Sequence, residues 1–378
     1  MKEININVPG KEYPVYIGSD IFSQFEKIML KHQLSKNLFI VIDTHVLDLH
    51  RTTIDHFVNN YQGSIFLHRF DSSESNKGIK SIEKIYSDLI SHGFGRDTVI
   101  IAFGGGITGD LAGFAASTYA RGVGFVQIPT TLLAAVDSSV GGKTGINFGE
   151  TKNIIGAFYQ PDFVLIDTNF LKTLPKEEII CGIGEIIKYG YLADELFFKS
   201  LERNISKLIK LNDSITTKII EFCIRFKGDV VAKDEKESGL RKILNLGHTY
   251  AHGIEIEQKY KIKHGHAVII GLVCALELSK NIGLISEKVF NRYSQLPLFL
   301  KDNIKIEAFD ASGICEIMKR DKKNRDNKIK LILVKEIGNL AVDCEVDDSE
   351  IEKSISAGMT YFYETLHSKW QGQRYRSY

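Results

Sequence analysis

The chain has 378 residues, 48 Lys+Arg against 47 Asp+Glu, and 43% hydrophobic residues. That length allows two domains, each with its own core, and the evenly mixed charge (net +1) offers no basic stripe or arginine-rich arm for nucleic acid. The opening MKEININVPG lacks the apolar run of a signal peptide, no segment approaches the roughly 20 apolar residues of a membrane span, and Cys181, Cys223, Cys274, Cys315 and Cys344 show no paired spacing, so a soluble, cytoplasmic protein with reduced thiols is expected.

In chain order, short apolar and β-branched runs fall at Asn37–Asp43, Ser64–Phe70, Thr98–Phe103, Gly124–Ile128 and Phe163–Asp167, each bounded by turn residues. Amphipathic stretches such as Asp20–His32 and Lys77–His92 lie among them. Short buried strands separated by helices predict a mostly parallel sheet with helices on both faces. The pattern then changes. Five of the six prolines fall at or before Pro175, and none lies between Pro175 and Pro297. Across that gap apolar residues recur at helical spacing, as in Ile215–Phe226 and Ala267–Lys280. The reading is an α/β N-terminal domain over residues 1–173, followed by a mostly α-helical C-terminal domain over residues 174–378. A late hairpin, Lys328–Lys335 with Asn339–Glu345, is predicted across Ile337-Gly338. The terminal SKWQGQRYRSY reads as a loose tail.

Three groups of residues carry chemistry. Gly104, Gly106 and Gly109 satisfy Gly-x-Gly-x-x-Gly after a predicted strand and before a predicted helix. Such glycines let backbone N–H groups approach a pyrophosphate, and the helix N-terminus adds partial positive charge. The acidic ribose ligand expected about 20 residues later is missing, because that region reads QIPTT, so an ordinary Rossmann geometry is not expected. Asp43, ending the strand NLFIVID, is an earlier acidic candidate.

Secondly, Asp137–Thr144 (DSSVGGKT) and Lys152-Asn153 set two lysines and an amide around glycine-rich backbone, a combination suited to an anion. Asp137 stands where a P-loop has its first glycine, which argues against nucleoside-triphosphate hydrolysis. Thirdly, Glu237, Arg241, Asn245, His248 and His252 are spaced 4, 4, 3 and 4, which on a continuous helix puts all five on one face. Gly239 and Gly247 weigh against an unbroken helix. His248 and His252, at i and i+4, are placed to share a metal, His264-Gly265-His266 offers further imidazoles, and Glu185 lies one turn from Lys188. Two imidazoles and a carboxylate with one open position make a catalytic zinc site. Spacing leaves open which imidazoles serve.

At these residues the chain resembles the 3-dehydroquinate synthases of the sugar-phosphate cyclase superfamily. The matching text is GGGITGDLAGFAASTYARG, QIPTTLLAAVDSSVGGKTGIN, KNIIGAFYQP, LKTLP, GEIIKYG, ESGLRKILNLGHTYAHGIE and RDKK, and KEYPVYIG and ESNK extend it over nearly the whole chain. The resemblance implies conversion of 3-deoxy-D-arabino-heptulosonate 7-phosphate to 3-dehydroquinate and phosphate, within the shikimate pathway. It implies a carbon–oxygen lyase using NAD and one divalent metal, Zn2+ or Co2+, and acting as a homodimer. By the same resemblance Glu185, His248 and His264 would be metal ligands, and His252 a substrate or proton-handling residue. Lys143, Asn153 and Lys322 would gather around the phosphate, with Arg121 reaching across from a neighbouring subunit. Lys227 and Arg241 would take the substrate carboxylate, while Lys188, Glu237 and Asn245 line the ring. Asp43, Glu74, Lys77, Gly105, Gly106, Asp110, Thr130, Thr131, Asp137 and Lys152 would hold NAD.

There is one departure at the metal. The family's usual His-Gly-Glu is His264-Gly265-His266 here, which keeps the ligand and changes its surroundings. Arg241, Asn245 and His252 keep the dehydroquinate pattern, whereas cyclases that act on sedoheptulose 7-phosphate or form inosose-type rings, the alternative reading, tend to change this region.

Overall fold

The structure, a computed structural model, describes residues 1–149, 151–320 and 328–374, with side chains through residue 363. It divides into two compact units, Met1–Glu178 with Leu211–Glu237, and Ile179–Lys210 with Ser238–Tyr378. The chain thus leaves the first unit and returns to it once, at Leu211–Glu237.

The first unit is built on a seven-stranded sheet. Its strands are β1 (Lys2–Val8), β2 (Lys11–Gly18), β3 (Asn37–Asp43), β4 (Ser64–Phe70), β5 (Thr98–Gly104), β6 (Gly124–Pro129) and, after the separate antiparallel hairpin β7 (Lys143–Phe148) and β8 (Thr151–Phe158), β9 (Phe163–Asp167). The order is β1-β2-β9-β6-β5-β3-β4, parallel throughout except for β1 against β2. The five predicted parallel strands are all present. Leu38, Ile40, Ile42, Ile101 and Phe103 fill the core on one face, and Phe39, Val41, Ile100 and Ala102 pack with Leu111, Ala112 and Ala115 on the other. Burial on both faces is why these strands read as unbroken apolar runs. The added β1 shows the opposite signature, with only Ile4, Ile6 and Val8 buried in alternation.

The chain runs from β3 to β4 on one side, then crosses back to place β5 on the other side of β3. That reversal opens a crevice at the carboxyl ends of β3 and β5, the usual ligand position in an open α/β sheet.

The helices used below are α1 (Phe25–Lys31), α2 (Thr44–Leu49), α3 (Arg51–Asn60), α4 (Ile79–Ser91), α5 (Gly106–Thr118), α6 (Lys176–Leu192), α7 (Glu195–Ile209), α8 (Asp213–Lys233), α9 (His248–Glu257) and α10 (His264–Asn281). α8 belongs to the first unit, where Gly228 lets it approach Ile6 of β1. The second unit is mostly helical around α10, which is buried from Gly265 through Ser279. The late hairpin forms as β10 (Leu331–Glu336) and β11 (Asn339–Cys344), turning at Gly338 with φ 80°. The segment read as a loose tail is helical as far as Arg374, because the helix Asp348–Arg374 runs on into it. No helix among the described residues is long and apolar enough to cross a membrane. None of the five cysteines forms a disulfide.

Candidate active site

The first unit gathers its candidate residues at the carboxyl edge of the sheet. The turn from β5 into α5 passes through Gly105, and no side chain caps α5. The first N–H groups of that helix are therefore available to an anion. A Cβ at Gly105 would lie 2.9 Å from Thr131 Cγ2, and one at Gly106 would lie 3.0 Å from Ser138 Oγ, so only glycine fits this turn without a shift. The Thr130 and Thr108 hydroxyls are buried with no hydrogen-bond partner among the described residues. An uncapped helix end beside orphaned hydroxyls fits the phosphates of a dinucleotide. Asp43 already has a structural duty: Oδ1 accepts from His45 N (2.7 Å) and Val46 N (3.2 Å) to cap α2, and Ser72 donates to Oδ2.

Three candidate lysines of this unit, Lys77, Lys143 and Lys227, each hold a carboxylate. Lys77 donates to Asp110 Oδ2 (2.5 Å) and to Asn153 Oδ1. Burial pushes the Asp110 carboxyl up, opposed by the Lys77 charge. Lys227 donates to the carboxylate of Asp137 and to its carbonyl (2.9 Å), and Lys143 pairs with Glu237. Glu74 Oε1 accepts from Asn147 Nδ2 at 2.8 Å. Arg121 is exposed past the end of α5, in a left-handed run formed by Ala120 (φ 49°), Arg121 (φ 70°) and Gly122 (φ 113°).

The polar stripe from Glu237 to His252 is not one helix. α8 ends at Lys233, Gly239 adopts φ −154° and ψ −95°, Leu240–Asn245 form a 3-10 turn, and Gly247 at φ 77° precedes α9. The two glycines break the helical period, so Glu237 falls in the first unit, while Arg241, Asn245, His248 and His252 fall in the second. Arg241 is almost fully buried there, at 2% exposure. Lys322 lies outside the described residues.

The second unit assembles a metal-type cluster through glycine contacts. Glu185 is on α6, His248 begins α9 and His264 begins α10. A Cβ at Gly265 would lie 1.9 Å from the Cys181 carbonyl oxygen, one at Gly184 would lie 2.3 Å from the Gly265 oxygen, and one at Gly271 would lie 2.2 Å from the Gly247 oxygen. Each ligand candidate therefore follows or precedes a glycine at which two backbones touch. The ligand atoms of Glu185, His248 and His264 all lie within 4.8 Å of one another. His248 Nε2 and His264 Nε2 are 3.3 and 3.2 Å from Glu185 Oε1. Two imidazoles and a carboxylate in this arrangement fit a zinc-type ion. Among the described residues His252 falls outside this group, its ring 5.9 Å from that of His248 and 6.4 Å from that of His264.

Groups behind these three residues orient them. Lys188 Nζ is 2.5 Å from Glu185 Oε2, with both side chains buried. His248 Nδ1 is 3.2 Å from the Leu246 carbonyl, and His264 Nδ1 is 3.6 Å from Glu255 Oε1. Both rings thus turn Nδ1 to an acceptor and Nε2 to the centre. The buried Glu255 was missed in the sequence, although it stands seven residues after His248 in HTYAHGIE. His266, the departure from the family pattern, is buried too.

The charges couple metal uptake to a proton. For Glu185, burial pushes the carboxyl up, but Lys188 and the two histidines outweigh it and hold the group well below the usual carboxylate range. His248 is lowered to about 4 by burial, against the pull of Glu185. His264 is raised to about 10: burial opposes its charge, and the carboxylates of Glu185 and Glu255 prevail. At pH 7 the protein alone thus presents one carboxylate, one neutral imidazole and one imidazolium. A metal needs His264 neutral, so its uptake should release about one proton and weaken about tenfold per unit of falling pH. Calorimetry in buffers of different ionisation enthalpy reads that number directly. Release of no proton contradicts a protonated His264 in the metal-free protein.

Comparison with known proteins also takes the chain in two parts. The family described as 3-dehydroquinate synthase N-terminal matches residues 68–181, and that described as 3-dehydroquinate synthase C-terminal matches residues 182–324. The 3-dehydroquinate synthase of Dictyoglomus thermophilum is 41% identical over 370 residues, covering 96% of this chain and 99% of the relative. Among solved structures, a 2-deoxy-scyllo-inosose synthase complexed with carbaglucose-6-phosphate, NAD+ and Co2+ has a TM-score of 0.86 at 24% identity, covering 94% of this chain and 99% of its own. A 2-epi-5-epi-valiolone synthase from Streptomyces hygroscopicus subsp. jinggangensis, with NAD+ and Zn2+ bound, has a TM-score of 0.83 at 25% identity, covering 95% and 98%.

Proposed function

The chain belongs to the 3-dehydroquinate synthase family, and from that premise we propose how its residues convert 3-deoxy-D-arabino-heptulosonate 7-phosphate to 3-dehydroquinate and phosphate. The conversion is a step of the shikimate pathway toward aromatic amino acids, carried out by a cytoplasmic carbon–oxygen lyase. The observation that carries this reading is the Glu185–His248–His264 cluster, in a chain 41% identical to a 3-dehydroquinate synthase over nearly its whole length.

The domain of residues 1–173 is the NAD-binding one in this account, and residues 174–378 bind metal and substrate. Gly105, Gly106, Thr130 and Thr131 receive the dinucleotide phosphates, and Asp43, Glu74, Lys77, Asp110, Asp137 and Lys152 hold the rest of NAD. Glu185, His248 and His264 hold Zn2+ or Co2+, in keeping with NAD+ beside Co2+ or Zn2+ in the two solved relatives. When bound, NAD+ supplies reversible hydride removal, and the metal polarises hydroxyl and carbonyl oxygens. The remaining work falls to the chain. Lys143, Asn153 and Lys322 bind the phosphate, with Arg121 contributed across a homodimer. The incoming phosphate takes the Lys143 ammonium from Glu237, leaving that carboxylate for ring hydroxyls beside Lys188 and Asn245. Lys227 and Arg241 bind the substrate carboxylate, and His252 moves a proton at the ring oxygens. Anchoring both anionic ends fixes the conformer from which phosphate leaves and the ring closes.

Arg241 separates this substrate from sugar phosphates lacking a carboxylate. In Arg241→Ala, kcat/KM for the seven-carbon ketoacid phosphate should fall at least about a hundredfold, the usual order for a lost buried charge pair. Zinc and NAD+ binding should persist. An undiminished rate in that variant removes the carboxylate from the account.

A further inference from the structure

Asn147 belongs to none of the groups assigned above, yet it ties three of them together. It lies near the end of β7, where the pairing with β8 jumps from Ile146↔Ile155 to Phe148↔Thr151. Asn147 alone therefore faces Lys152, Asn153 and Ile154, an enlarged bulge of the kind that re-aims side chains beside functional sites. Within the bulge Asn153 is left-handed, at φ 50°, an uncommon conformation that its surroundings must hold. Asn147 Oδ1 accepts the Asn153 N–H at 2.9 Å. Its Nδ2 donates to Glu74 Oε1 at 2.8 Å and to the Glu74 carbonyl at 3.3 Å. Its backbone N–H donates to the Lys77 carbonyl at 2.8 Å. Lys77 closes the ring by donating from Nζ to Asn153 Oδ1.

We propose that Asn147 is a positioning residue whose amide couples Glu74 to Asn153, so that the cofactor-side and phosphate-side groups are set by one clamp. The inference rests on the reading that Glu74 serves NAD and Asn153 the phosphate. One side-chain amide supplies both an acceptor and a donor on opposite arms, which among uncharged side chains only asparagine, glutamine and neutral histidine offer. Removing the amide frees the bulge and the Glu74 carboxylate together. Asn147→Asp retains the acceptor for Asn153 and loses the donor to Glu74, so it separates the two arms.

The test is calorimetry on the full, zinc-loaded chain with NAD+ and with inorganic phosphate as separate probes. Asn147→Ala should weaken both about tenfold, the scale of a lost hydrogen bond to a charged group. Asn147→Asp should recover phosphate binding to within about threefold of the unsubstituted chain while NAD+ binding stays weak, a split that general loosening does not produce. The proposal is overturned if Asn147→Ala binds both probes normally, or if Asn147→Asp loses both equally. Should the alanine variant lose its fold, the aspartate split decides alone. Glu74→Ala and Asn153→Ala test the underlying reading: normal binding in both removes that reading and the clamp with it, whereas weak binding there beside normal Asn147→Ala removes the clamp alone.

Discussion

Replacing Gly265 by alanine should cost about 3 kcal/mol of stability and lower zinc affinity by about ten- to a hundredfold. The new Cβ would lie 1.9 Å from the Cys181 carbonyl oxygen, 2.6 Å from its carbon and 2.8 Å from its Cα, all of them backbone atoms that cannot swing aside. α6 and α10 must therefore part, and they carry Glu185 and His264. Gly265 N also donates to Cys181 Sγ at 3.3 Å, a hydrogen bond that the same movement breaks. Gly283→Ala is the control: nothing lies within 4 Å of its Cβ, but φ is 77°, so it should lose about 1 kcal/mol through backbone strain and keep its zinc affinity. Denaturant midpoints with zinc calorimetry on the two variants separate the effects. A Gly265→Ala protein with unchanged stability and zinc affinity contradicts the glycine-contact account of the cluster.

Lys188→Met should destabilise the metal-stripped protein by about 3–5 kcal/mol and make it depend on zinc for its stability. The Lys188 ammonium is buried and lies 2.5 Å from Glu185 Oε2. Breaking that pair leaves Glu185 Oε2 without its cation in low dielectric, with only the His264 imidazolium remaining on Oε1, and such a loss costs more than the pair itself contributes. Methionine matches the stem and supplies no charge. A divalent ion replaces the missing positive charge at the same carboxylate, so zinc should raise Tm more in this variant than in the unsubstituted chain. An equal zinc-induced rise in the two proteins, or no loss of stability without metal, would show that Lys188 does not balance Glu185.

These effects divide what the sequence makes legible from what it hides. β3 and β5 are readable because both faces are buried, leaving continuous runs such as TVIIAF. The turn at Gly104–Gly106 is readable because its chemistry is local. The β7–β8 hairpin was hidden: its glycines and lysines look like a loop, and Gly145 and Gly156 pair across the strands where either Cβ would strike backbone. The stripe from Glu237 to His252 suggests one helix by spacing, and the two glycines that break it act through backbone angles that spacing does not weigh. The return of Leu211–Glu237 to the first unit depends on tertiary packing of α8, as at Gly228 against Ile6, which no local pattern reports. Among the metal-type residues, spacing offered His252 as readily as His264. The family resemblance pointed to His264, and close approach of glycines distant in sequence is what brings it to Glu185. Glu255 escaped notice because an orienting carboxylate carries no signature until the ring it faces is located.

The most direct test of the central claim is phosphate release from 3-deoxy-D-arabino-heptulosonate 7-phosphate by the full chain with NAD+ and Zn2+, with NADH absorbance followed in parallel and sedoheptulose 7-phosphate as the comparison substrate. Stoichiometric phosphate and 3-dehydroquinate from the first substrate alone, without accumulating NADH, is the expected result. Release from sedoheptulose 7-phosphate alone, steady NADH accumulation, or no turnover of either substrate would contradict it.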